Sequence, residues 1–255
     1  MLIAVVVPTY RAHFTFLESL LKNIGQQTRA PNLVVIRASS CKVEDIPFLE
    51  SLQARSWPFP LKIVPTAAKQ YAAQNRNEGS DAVPEFFDAI SYLDSDDLMH
   101  PRRLEIVEKM LEEGADVVLY SYIDGPRNAV PKWWEVGEPV CEWDPFSFKS
   151  EMIYSHIKKE YVTLHRVIYD MDQFWLHSAH ITIRLACFKA VRFDEAAFRY
   201  EDSQFLSDVI RSGYKSAALE NKLSYWSLVS EEEEYKKYLV VDYVPPTGQE
   251  SPHSP

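Results

Sequence analysis

Phe86-Phe87-Asp88-Ala89-Ile90-Ser91-Tyr92-Leu93-Asp94-Ser95-Asp96-Asp97 passes from an apolar run into three carboxylates. The run Phe86–Asp94 predicts a strand buried on both faces, and the acids lie at its carboxyl end. Adjacent acids repel one another, so their clustering needs a cause. Asp94 and Asp96, spaced i, i+2 in a turn, can point at one hard cation while a diphosphate supplies further oxygens. That arrangement suits Mn²⁺ or Mg²⁺. The plain alternative is an acidic turn in which Asp97 is the N-cap of the next helix.

Working outward from this strand, apolar runs alternate with helical patterns. Leu2–Val7 is a Val-rich run that reads as a first strand. Phe14, Leu17, Leu20, Leu21 and Ile24 then fall at helical spacing. Asn32–Arg37 and Leu61–Val64 read as the second and third strands, with Val43–Arg55 a helix between them. Gln70–Gly79 reads as a helix ending at Gly79. Beyond the acids, Pro101–Glu113 reads as a helix with Pro in its first turn and Gly114 past its end, and Asp116–Tyr122 as a fifth strand. Such alternation predicts an α/β fold with a mostly parallel central sheet flanked by helices. Ligands of such sheets bind beyond the carboxyl ends of the strands. That rule brings Pro8–Arg11, Ala38–Ser40 and Asp94–Asp97 to one rim.

From about Asp124 to Trp175 the chain is rich in aromatic residues, including Trp133, Trp134, Trp143, Phe146, Tyr154 and Tyr161. This composition suits a surface on which sugar rings stack, and equally a packed core. Glu201–Ser212 reads as a helix stopped by Gly213. Glu231–Glu234 reads as a solvated helix face, and 245–255 as a disordered tail. The expected organisation is a single domain over 1–244. Its nucleotide-sugar half covers about 1–123 and its acceptor half about 124–244.

The 255 residues carry a net charge of −10, which disfavours duplex nucleic acid and anionic lipid surfaces as partners. Gly is scarce, at 7 residues, and neither GxGxxG nor GxxxxGK[ST] occurs, which argues against a Gly-rich phosphate loop. Cys41, Cys141 and Cys187 are far apart, so neither a zinc site nor a disulfide framework is suggested. No run approaches the ~20 apolar residues that span a bilayer. A cytoplasmic protein is expected, with peripheral membrane contact left open.

Two further clusters matter. Gln74-Asn75-Arg76-Asn77-Glu78-Gly79 puts Arg and Asn at a helix end, where they could orient the acidic turn, contact a donor or lie on a polar surface. Tyr200-Glu201-Asp202 opens a helix. The helix dipole alone accounts for acids there, and a general base is the functional alternative.

Together these motifs resemble the GT-A glycosyltransferases of family 2. The resemblance rests on Val7-Pro8-Thr9-Tyr10, then Arg76-Asn77-Glu78-Gly79, then Leu93-Asp94-Ser95-Asp96-Asp97 with Pro101, and finally Glu201-Asp202 followed by Arg211-Ser212-Gly213-Tyr214. It covers Leu2–Tyr122 closely and Ser178–Leu219 less so. It implies a GT-A, Rossmann-like fold and a metal-dependent enzyme moving a sugar from a nucleotide-diphosphate sugar, UDP first, to an acceptor hydroxyl of a glycan or glycoconjugate. Pro8, Thr9, Tyr10, Arg11, Ser39, Arg76, Asn77, Asp94, Ser95 and Asp96 would form the donor site. Asp96 and Asp94 would hold Mn²⁺ or Mg²⁺. Asp202, with Glu201 as the alternative, would be the base of an inverting transfer. The sequence departs from the family in lacking an acid after the second strand before Glu44 and in carrying Arg11 after Tyr10. His177 and His180 are candidate substitutes for a C-terminal His ligand found in some relatives.

Rival readings fare less well on the same residues. A phosphatase with a DxD nucleophile places its acids after the first strand, whereas here they follow the fourth. A nucleotidyltransferase wants a Gly-rich loop where Pro8-Thr9-Tyr10-Arg11 stands. The non-enzymatic rival is a nucleotide- or sugar-binding module on the same fold. Its sequence discriminator is the joint presence of Asp94, Asp96 and Asp202, which it does not require.

Overall fold

The computed structural model describes residues 1–126, 135–155, 160–169, 179–197 and 200–228. Trp133, Trp134, Trp175, His177, Glu231–Glu234, the tail 245–255 and the side chains of Phe148, Tyr154 and Tyr161 lie outside the described residues.

The first half alternates as expected: β1 (Ile3–Tyr10), a 3-10 turn (Arg11–Phe16), α1 (Leu17–Ile24), β2 (Leu33–Ser39), α2 (Ile46–Ala54), β3 (Leu61–Pro65), α3 (Ala72–Asp81) and β4 (Ala89–Tyr92). β1 shows why its apolar run is unbroken. Ile3, Val5 and Val7 pack into one core cluster with Leu17, Leu20 and Leu21 of α1, while Ala4 and Val6 face a second cluster across the sheet. Each buried Val, Leu or Ile side chain stabilises by about 1.5–3 kcal/mol relative to exposure. Strands with two apolar faces therefore need helices on both sides.

β4 is shorter than the apolar run that contains it. The Phe87 N–H bonds back to Pro84 O at 3.1 Å, a turn that keeps Phe86 out of the ladder and leaves it exposed. Gly79 corrects a second expectation, because α3 continues through it to Asp81. A Cβ there would meet Val6 Cγ1 at 2.9 Å and Arg37 Cβ at 3.2 Å, so this glycine lets the helix lie close against the sheet. After the acids come β5 (Leu98–Met99) and α4 (Arg103–Glu112). Asp97 is not its N-cap: the helix starts two residues later than Pro101, and that position falls to Arg102. Gly114, at φ +103°, closes this helix as expected.

The second half adds β6 (Val117–Pro126), β7 (Cys141–Trp143), β8 (Phe146–Ser155), β9 (Glu160–Tyr169), β10 (Thr182–Arg184), α5 (Leu185–Ala190), α6 (Glu201–Arg211) and β11 (Ser216–Leu228). The central sheet runs β3-β2-β1-β4-β10-β6-β11-β5, with β7 also on β11, while β8 and β9 form a separate hairpin. β1 to β4 pair in parallel, as do β6 and β11. β10 enters antiparallel between β4 and β6, and β5 and β7 pair antiparallel with β11. The sheet is thus mixed, its parallel part being the half that binds by the strand-end rule. Among the described residues no helix is long and apolar enough to cross a membrane.

Candidate functional site

The carboxyl ends of β1, β2 and β4 meet at one rim, and the acidic turn Asp94–Asp97 crosses it. The carboxylates differ in access. Asp94 and Asp96 are 28% and 23% exposed at the side chain, whereas Asp97 is 3% exposed and engaged on both oxygens. The Ser227 N–H donates to Asp97 Oδ1 at 2.7 Å, and Asp97 Oδ2 lies 3.0 Å from Nε2 of His180. His180 is buried just before β10, with Nδ1 3.0 Å from Ser224 Oγ on β11. Burial pushes its imidazole down to about 3 despite the attraction of Asp94, so it is neutral near pH 7. We assign its Nε2–H to the short contact with Asp97; the Asp94 N–H, at 3.2 Å from the same nitrogen, is the weaker approach. His180 and Asp97 thereby tether the acidic turn to two strands. The ligating atoms of Asp94, Asp97 and His180 lie within 4.8 Å of one another, a grouping that could share a cation only with Nε2 of His180 free of its hydrogen.

Asp96 projects beside His13, whose Nδ1 lies 3.8 Å from Asp96 Oδ1 and 3.3 Å from Ser95 Oγ. Burial, then the neighbouring Asp97, raises the Asp96 carboxyl to about 6, against the pull of His13. A carboxylate held partly desolvated among like charges gains from a cation. His13 itself packs between Tyr10 and Phe16, with ring centroids 4.3 and 5.5 Å away.

Arg76 links the acidic turn to α6. It is buried on α3, donating from Nη2 to Asp94 Oδ1 and from Nη1 to Glu201 Oε1, each at 2.8 Å. Its guanidinium lies over the Phe193 ring, 5.5 Å from the centroid. Burial alone would lower its basicity, but Asp94, Glu201 and Asp202 hold it more firmly protonated than usual. Glu201 is raised from its ordinary range by burial, with Arg76 opposing. Asp202 is half-buried one residue on, its Oδ1 accepting the Ser203 N–H at 2.8 Å. Tyr200, at φ 61°, turns the chain into this helix.

The remaining expected donor residues divide. Tyr10 and Arg11 border a cleft of about 750 Å³ also lined by Thr15, Glu44, Asp45 and Phe48. Arg11 donates to Asp45 Oδ2 at 2.7 Å and pairs with Glu44 at 3.3 Å, so the acids absent directly after β2 reach this rim from the next turn. Ser39 is buried: its Oγ donates to Thr9 O at 3.2 Å and accepts from Asn75 Nδ2 at 3.0 Å, pinning β1 to β2. Thr9 Oγ1 and Asn75 Oδ1 are buried without a hydrogen-bond partner among the described residues. Pro8 lies in β1 opposite Arg37. The Asn77 side chain is taken up by Phe193 and Glu195, donating to Phe193 O at 3.0 Å and to Glu195 Oε1 at 2.9 Å. It acts as a clamp behind the rim. Sequence reasoning missed His13 altogether, and Asn75 entered only as part of a cluster. His180 carried no signal beyond its residue type.

The family model described as glycosyl transferase family 2 matches residues 4–193. An uncharacterized glycosyltransferase of Methanocaldococcus jannaschii is 23% identical over 255 residues, covering 94% of this chain and 78% of that protein. Another, of Haemophilus influenzae, is 28% identical over 116 residues, covering 46% of this chain and 36% of that protein. Among solved structures, S. aureus TarS 1-349 in complex with UDP superposes with a TM-score of 0.59 at 18% identity, over 92% of this chain and 63% of that one. The mannosyltransferase PcManGT from Pyrobaculum calidifontis, in complex with GDP-Man and Mn²⁺, gives 0.60 at 16% identity, over 92% and 59%. The chain therefore spans roughly a third of the Haemophilus protein and about three-fifths of these two structures. At such identities the likeness establishes the fold, which is GT-A.

Proposed function

We propose that the chain, which belongs to glycosyl transferase family 2, is an enzyme that transfers sugars and takes the sugar from a nucleotide diphosphate in the presence of a divalent cation. The observation that carries this reading is the contrast within the acidic turn. Asp94 and Asp96 are open, while Asp97 and His180 are sealed behind them. Partly exposed hard-oxygen donors, one of them raised by burial and then by its like-charged neighbours, fit Mn²⁺ or Mg²⁺ shared with a ligand's phosphates. Bound there, the cation would supply Lewis-acid stabilisation of the charge growing on the leaving diphosphate.

In this reading the chain's own residues divide the work. Tyr10 and Arg11 border the nucleoside. Asp94 and Asp96 would hold the cation, with Ser95 between them. Arg76 fixes Asp94 and Glu201 relative to each other. Asp202 accepts the acceptor hydroxyl's proton as its oxygen attacks the anomeric carbon opposite the leaving group, which inverts that centre. Glu201, occupied by Arg76, is the poorer base of the two. Neighbours with UDP and with GDP-Man and Mn²⁺ bound support the donor class, with UDP first. The acceptor would be a hydroxyl of a glycan or glycoconjugate.

The test is transfer from a panel of UDP- and GDP-sugars with Mn²⁺, with the product anomer read by NMR. One nucleotide class should release its diphosphate only when metal is present and give the inverted anomer. Release equally fast in chelator, or a retained anomer, would sink the corresponding part of the proposal.

A further inference from the structure

We infer that Trp226, backed by Tyr122 and flanked by Asp124, is the platform on which a neutral acceptor sugar ring stacks. The inference rests on the donor lying at the acidic turn. β6 and β11 run in parallel register, with Ser224 opposite Tyr122 and Trp226 opposite Asp124. Register partners on adjacent strands point to one face, as do residues two apart, so these four side chains share a face. It is the face of the acidic turn, because Ser224 Oγ lies 3.0 Å from the His180 ring that contacts Asp97. β5 pairs with β11 through Leu98–Tyr225 and Met99–Ser224. Continuing that register by one residue sets Trp226 opposite Asp97, and the Ser227 N–H bond to Asp97 Oδ1 agrees.

Trp226 therefore lies on the strand next to β5, beside the end of the acidic turn that leads into β5. Its side chain is 42% exposed and meets the Tyr122 ring edge to face, centroids 5.6 Å apart. That contact helps fix the orientation of the indole in a residue that remains among the exposed aromatics. On the opposite face, Gly125 leaves room for the Tyr225 hydroxyl, which a Cβ would meet at 2.7 Å, so β11 is packed down behind the platform.

The chemistry of this patch selects its ligand. A pyranose offers an apolar C–H face to an indole and hydroxyls at its rim. Asp124 is exposed and can accept charge-assisted hydrogen bonds from such hydroxyls. Asp124, the register partner of Trp226, puts an exposed carboxylate beside the ring, which disfavours an anionic ligand there and favours a neutral sugar. A neutral ring stacked at Trp226 would present its hydroxyl toward the acidic turn.

The test uses the whole chain labelled with 5-fluorotryptophan. The Trp226 ¹⁹F signal is identified by its loss in Trp226→Phe. Methyl pyranosides of glucose, galactose, mannose and N-acetylglucosamine are titrated in the presence of UDP and Mn²⁺. At least one should shift the Trp226 signal selectively. Its affinity, read by calorimetry in parent and variants alike, should fall about tenfold or more in Trp226→Ala and less in Trp226→Phe. Calorimetric binding of UDP with Mn²⁺ should be unchanged in both. A Trp226 signal that no glycoside moves, or an Ala variant that binds the glycoside like the parent, overturns the inference while leaving the donor reading intact. Failure of the parent chain to bind any nucleotide diphosphate with metal removes the donor reading first, and this inference with it.

Discussion

Replacing Arg76 should uncouple the acidic turn from α6, and the structure sets the size of the effect. The guanidinium is 2% exposed and bridges Asp94 and Glu201 at 2.8 Å on each side. At that burial, solvent screening gives little relief. Removing one member of a buried ion pair costs about 3–5 kcal/mol, because the partner is left uncompensated. Two carboxylates lose their common cation, but Asp94 is 28% exposed and draws on solvent, so Arg76→Met belongs at the lower end of that range, about 3 kcal/mol. For a chain of this size the loss lowers the melting temperature by about 6–12 °C, at 2–4 °C per kcal/mol. Glu201→Gln alone removes one charge and spares Asp94, so it should cost less, about 1–3 kcal/mol. The decisive figure is the coupling in a double-mutant cycle of Arg76→Met with Glu201→Gln, measured by urea denaturation. Residues in one buried network couple by about 0.5–3 kcal/mol, and direct charge contact predicts about 2 kcal/mol or more. Arg76→Lys should recover only part of the loss, since one ammonium does not reproduce the planar fork that reaches both carboxylates. A coupling below about 0.5 kcal/mol, or an Arg76→Lys chain as stable as the parent, would refute the bridge.

Two further outcomes follow from single positions. Gly79→Ala should destabilise by about 1–3 kcal/mol, as overpacking does when the clashing atoms belong to a strand core. Val6 Cγ1 at 2.9 Å must then move with β1, and thermal unfolding of the variant checks it. Asp202→Asn should lower turnover by about 10²–10⁴-fold, the usual worth of a positioned base, with UDP affinity in Mn²⁺ unchanged. Steady-state kinetics beside calorimetry separates the two, and a variant retaining most of its turnover would take the base role from Asp202.

Much of the parallel half was legible because its signals are local. An apolar run such as Leu2–Val7 announces a strand buried on both faces, and the acids at Asp94–Asp97 announce their place at its neighbour's end. The rest depends on pairs far apart in the chain. Arg76 and Glu201 are separated by 125 positions, and neither residue type at a helix end betrays the other. β10 has three residues, too few for any periodicity, and its antiparallel entry follows from packing between β4 and β6. Gly79 looks like a helix stop in sequence, since the close approach to Val6 that requires it exists only in three dimensions. Asp97 looks like a helix cap for the same reason. Its true partners, His180 and Ser227, come from the other end of the chain. The acidic turn is legible in sequence as a cluster of carboxylates at a strand exit. The structure adds a division within it: Asp94 and Asp96 are partly exposed and Asp97 is buried.

That division is tested most directly by calorimetry of UDP, and of GDP in parallel, with Mn²⁺ and then with chelator, on the parent chain and on Asp96→Ala. The account predicts that one nucleotide binds with metal, that chelator abolishes the binding, and that Asp96→Ala abolishes it while the chain stays folded. Nucleotide binding that persists in chelator, or that Asp96→Ala leaves untouched, would contradict the claim that the open carboxylates of the acidic turn hold the cation.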